Sequence, residues 1–150
     1  MNMNRRGKVI HGALMAAVIG VIAGCNSDAS DYMGTYKVTK KHSTGDDSMI
    51  TVIGPDYMKR ALKSGDRNRV DADFEVVREN GEEYFKIIAS ITNNAGEKET
   101  HSTRYRITSP ERMVLRPNED TDIGMQEVVR VGSVDEFDAI AREFIADSNR

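Results

Sequence analysis

The chain has 150 residues, a length that suits one domain. Its 39% apolar and 30% charged residues are a globular balance, too apolar for disorder. A single cysteine excludes an intrachain disulfide framework and any multi-cysteine zinc site. The first element in chain order is a leader. Arg5, Arg6 and Lys8 form a basic start, and Gly12 to Gly24 is an uncharged stretch of 13 residues. That stretch is short of the roughly 20 residues a membrane span needs. It fits the apolar region of a secretory signal. Beyond the leader, residues 26–150 hold 18 Lys and Arg against 24 Asp and Glu, a formal charge of −6. An acidic domain of this kind argues against nucleic acid as a partner.

Ile22-Ala23-Gly24-Cys25 closes the leader and resembles the bacterial lipobox, with Ile22 where Leu is preferred. The resemblance implies lipidation of Cys25, cleavage before it, and acylation of the new α-amine. Residues 1–24 would then be a lipoprotein signal peptide, with Cys25 and a polar tether over 25–31 and a single domain over 32–150. Asn26 stands where an Asp favours inner-membrane retention in enterobacteria-like systems, so the resemblance implies an outer-membrane anchor with the domain facing the periplasm.

The domain reads as mainly β. Tyr36 and Val38 alternate with Thr35, Lys37 and Thr39, and Met49 to Ile53 is rich in β-branched residues. Gly54-Pro55 then interrupts. Pro is tolerated at a first helical position, so a short helix is expected near 55–63, with Tyr57, Met58, Ala61 and Leu62 as its apolar contacts and Gly65 as its stop. Val70, Ala72, Phe74 and Val76 alternate with polar residues, and Asn80-Gly81 is the preferred pair for a two-residue hairpin turn. Phe85, Ile87, Ala89 and Ile91 line one face of the returning strand. After Asn93-Asn94-Ala95-Gly96 comes a polar strand carrying Thr103, Tyr105 and Ile107 on one face. Met113 to Arg116 and Met125 to Val131 are the last two strands. Ser133-Val134-Asp135-Glu136 fits a capping box, and Val134, Phe137, Ile140, Ala141, Phe144 and Ile145 share one face of an amphipathic helix near 134–147. The sum is an antiparallel meander of about seven strands, curled or closed into a small barrel, with a C-terminal helix covering it. Gly34-Thr35-Tyr36 resembles the Gly-x-Trp that opens the lipocalin and related calycin barrels, with Tyr in place of Trp.

Few residues point to chemistry. His42 sits in a polar loop and His101 in a polar strand, and no Gly-x-Ser-x-Gly elbow accompanies them, so a hydrolase is the third-ranked reading and no catalytic residue is assigned. Asn118, Asp120 and Asp122 alternate like the start of a calcium loop, but Gly124 is one place late and Val129 stands where a Glu is required, so neither metal nor cofactor is expected. Lys37, Lys40 and Lys41, with Lys59, Arg60, Lys63, Arg67 and Arg69, form a basic set that suits a solvated surface first and a face for anionic headgroups or an acidic partner second. The absence of Trp and the 6% aromatic content leave little material for an aromatic cavity, so Phe74, Phe85 and Tyr84 or Tyr105 are expected in a filled core. The first functional expectation is a non-catalytic, lipid-anchored envelope protein, monomeric or weakly associated, that binds another envelope protein as accessory subunit or inhibitor. The alternative is a lipocalin-like carrier of a small apolar ligand, which a wide apolar cavity would favour.

Overall fold

The computed structural model describes residues 28–115 and 124–150. Eight antiparallel strands follow one another around a closed barrel: β1 (Gly34–Lys40), β2 (Asp47–Ile53), β3 (Tyr57–Leu62), β4 (Arg67–Glu79), β5 (Glu82–Thr92), β6 (Lys98–Ser109), β7 (Arg112–Leu115) and β8 (Gln126–Gly132). Each strand pairs with the next, and β8 returns to β1 with Val38 opposite Val128 and Lys40 opposite Gln126. Closure gives every strand a paired neighbour on both sides, although β6 meets the short β7 only through Arg106, Ile107 and Ser109. A 3₁₀ turn over Val134–Glu136 leads into α1 (Phe137–Ser148).

Two expectations are corrected together. The segment near 55–63 is a strand, not a helix, and it raises the count from seven strands to eight. Met58 and Ala61 are both buried, three residues apart, which imitates a helical stripe. They are buried on opposite faces: Met58 packs in the barrel core, and Ala61 packs under α1 with Ile50 and Val52. A strand covered on both sides loses the plain alternation that identifies a half-buried strand. Gly54 and Pro55 belong to the turn before it, where the Gly54 N–H donates to the Tyr57 carbonyl at 2.9 Å. Gly65, at φ +93°, belongs to the turn after it. The Asn80-Gly81 turn has both residues at positive φ, 52° and 77°, as its hairpin type requires.

The hydrophobic material forms two clusters. One fills the barrel around Tyr36, Phe85, Met113 and Val128. The other lies outside, where Phe137 and Ala141 of α1 cover Ile50, Val52 and Ala61 of β2 and β3. The helix approaches closely at Gly132: a Cβ there would stand 2.6 Å from Ile140 Cδ1 and 2.8 Å from Glu136 Oε2. At the helix start the Ser133 N–H donates to the Glu136 carboxylate at 2.7 Å, the reach-back half of the expected capping box.

One end of the barrel is plugged. Ala29–Tyr32, of which Ala29 to Asp31 fall within the expected tether, form a 3₁₀ turn that packs Tyr32 against Phe85 at 5.5 Å between ring centres. The Tyr36 hydroxyl donates to the Tyr32 carbonyl at 2.6 Å. Arg130 of β8 donates to the Asp31 carbonyl at 2.6 Å and to the Tyr36 hydroxyl at 2.9 Å. One guanidinium thereby ties the first strand, the last strand and the plug together. No helix among the described residues is long and apolar enough to cross a membrane.

Candidate functional site

Eight strands enclose a space that side chains just fill or that holds one small ligand. Here a cavity of about 230 Å³ remains inside the barrel. Its walls follow from the strand alternation. Val38, Met49, Ile53, Met58, Ile87 and Met113 make the apolar part. The expectation of an interior filled by aromatic core is therefore only half right. Phe85 is fully buried, with Phe74 stacked on it at 5.6 Å, and both serve as core. Tyr84 lies on the outside, donating to Glu82 at 2.7 Å with Arg104 over its ring at 4.8 Å. Tyr36, Phe85 and Tyr105 line the cavity, and flexible methionines and branched aliphatics supply much of the rest of its apolar wall.

The cavity extends to the end of the barrel opposite the plug, where Lys40 closes β1 and Gln126 opens β8. That end is polar. Lys40, Arg60 and His101 line it, together with Thr51, Thr103 and the Tyr105–Gln126 pair, in which the Tyr105 hydroxyl donates to Gln126 Oε1 at 3.3 Å. Burial raises the Tyr105 phenol pKa, and the Arg60 charge opposes that rise. Among the described residues that line the cavity, none carries a carboxylate. Ile91 and Met125, at this same end, are 43% and 36% exposed.

The basic set read from the sequence does not form one face. Lys40 and Arg60 turn inward to the cavity. Lys41 pairs with Asp46 at 3.0 Å, Lys63 with Asp47 at 3.6 Å and Arg67 with Asp138 at 2.9 Å. Lys59 and Arg69 stand over the Tyr57 ring at 5.4 and 4.4 Å. Lys37 is exposed on the outer side of β1. Arg60 went unrecognised as a cavity residue because its segment reads as a helix; the signal was the inward row His101, Thr103, Tyr105 of β6, too polar for a purely apolar core.

The histidines are apart. His42 lies exposed in the β1–β2 loop, and His101 stands on β6 with Glu99 at 3.4 Å. Hydrogen bonds from Asn93, and then from His101, hold the Glu99 carboxyl below the usual glutamate range. Among the described residues no group of three or more His, Cys, Asp or Glu side chains is placed to hold a metal ion. Cys25 and the alternating Asn118, Asp120 and Asp122 lie outside the described residues. Comparison with family models, curated proteins and solved structures finds no match to this chain.

Proposed function

We propose that this chain is a lipid-anchored, non-catalytic binding protein of the bacterial envelope whose barrel interior takes up a small ligand. The cavity of about 230 Å³ carries this reading, because a filled interior would have left only the outer surface for binding. Its size sits just below the range of about 300–1,000 Å³ typical of pockets for drug-sized molecules. It therefore suits a ligand of modest size. The leader and Cys25 support delivery to the envelope and attachment there, with the outer membrane as the destination and the periplasm as the space the domain faces. This reading prefers a ligand inside the barrel to a protein docked on its surface.

The test uses a neutral probe. Octan-1-ol is titrated calorimetrically into the full chain held in zwitterionic lipid nanodiscs, with protein-free discs as blank. Saturable one-to-one uptake is expected, and Ala89→Phe, which fills the cavity wall from β5, is expected to abolish it. Equal heats from protein-bearing and empty discs would sink the proposal.

A further inference from the structure

The charge distribution inside the barrel narrows the ligand class. An unpaired cation in an apolar enclosure is unfavourable, and natural interiors pair such charges or hydrogen-bond them fully. Arg60 is half-buried, lines the cavity, and sits opposite the buried Thr51 in the β2–β3 register. It makes no ion pair with any described carboxylate, and neither does Lys40. Among the described residues, two acids near this end are engaged elsewhere: Asp47, the register partner of Lys40, with Lys63 at 3.6 Å, and Glu99 with His101 at 3.4 Å and Asn93 at 2.9 Å. The Tyr105–Gln126 pair adds hydrogen-bonding groups on the same wall. Toward the plug the cavity becomes apolar, with Ile53, Met58 and Met113.

We propose that the barrel binds an amphiphile with one acidic head, the head paired with Arg60 and assisted by Lys40, and a short aliphatic body lying against the methionine-lined interior. This rests on the reading of the cavity as the binding site. Guanidinium forks match the two oxygens of a carboxylate or a phosphate, which the strongly hydrated ammonium of a lysine does less specifically. Size limits the body. An apolar cavity of about 150 Å³ holds a benzene-sized molecule, so this one takes about nine heavy atoms.

The same nanodisc titration is run with octanoate, octyl phosphate, octan-1-ol and octylammonium, whose bodies are alike and whose heads differ. At least one anion is expected to bind about ten-fold or more tightly than octan-1-ol, the worth of one charge-assisted pair, and octylammonium more weakly than either. The octanoate and octyl phosphate arms separate a carboxylate head from a phosphate head. Arg60→Gln is expected to bring anion and alcohol within about two-fold of each other while octan-1-ol still binds, which shows that the cavity survives; Arg60→Lys is expected to keep only part of the anion preference, because it retains the charge and loses the fork. Saturable octan-1-ol binding without an anion advantage, or an advantage that persists in Arg60→Gln, overturns the acidic-head assignment and leaves the cavity reading standing. No saturable binding by any of the four overturns both.

Discussion

Glu136 shows how one side chain can decide where an element begins. Its carboxylate accepts the Ser133 N–H, and that backbone hydrogen bond, with a further one from the Ser133 side chain, holds its pKa below the usual glutamate range. A group whose pKa is depressed by folding contributes fully above its unfolded pKa, and the contribution is lost as pH falls through the folded value. Acid below the ordinary glutamate range should therefore loosen the Ser133–Glu136 turn. Amide exchange at Ser133 is the readout: it should accelerate on acidification relative to barrel amides in the native chain, and lose that relative pH dependence in Glu136→Gln. Arg130 is the complementary case, a residue whose role the sequence does not advertise. Read alone it is one more basic residue on a strand; only the closing of β8 onto β1 brings it to Tyr36 and the Asp31 carbonyl.

The elements divide by how many sides they bury. The β4–β5 hairpin was legible because its alternation is clean and Asn80-Gly81 dictates its turn. The C-terminal helix was legible from a stripe and a cap, both local signals. Within its stripe, however, the burden is uneven: Phe137 is 4% exposed and Ala141 fully buried, whereas Phe144 is only half-buried. Phe137→Ala should cost about 3–5 kcal/mol and Phe144→Ala clearly less, measured by chemical denaturation. Equal losses would mean that the outer end of α1 packs as tightly as its start. β3 was illegible because its second buried face is made by α1, which comes almost eighty residues later in the chain. The cavity was hidden for the same reason. Arg60 becomes a cavity residue only when β3 is a strand, and no local signal distinguishes an inward charge from a solvated one.

At the scale of the whole molecule, the interior holds a void because the inward positions are an uneven mixture of Met, Thr, Ala and branched side chains that does not interlock around Phe85 and Tyr36. The proposed anchor rests on the sequence alone. Mass spectrometry of the membrane fraction should find an acylated N-terminal peptide beginning at Cys25, and Cys25→Ser should leave unprocessed precursor; mature molecules that retain residue 1 would remove the anchor from the proposal.

The N-terminal plug then sets an orientation. Cys25 stands three residue steps before Asp28, a span of at most about 11 Å for a fully extended chain. With lipid on Cys25 the barrel stands on its plugged end, close to the headgroups, like a cup on a short stem. Its polar rim, at Lys40 and Gln126, stands at the far end of the tilted seven-residue β1, about 15 Å along the barrel axis. On the proposed anchor, traffic through that rim would be with the aqueous side, and an amphiphile would reach the cup through water, from another carrier or from a facing membrane and not by sliding from the supporting leaflet.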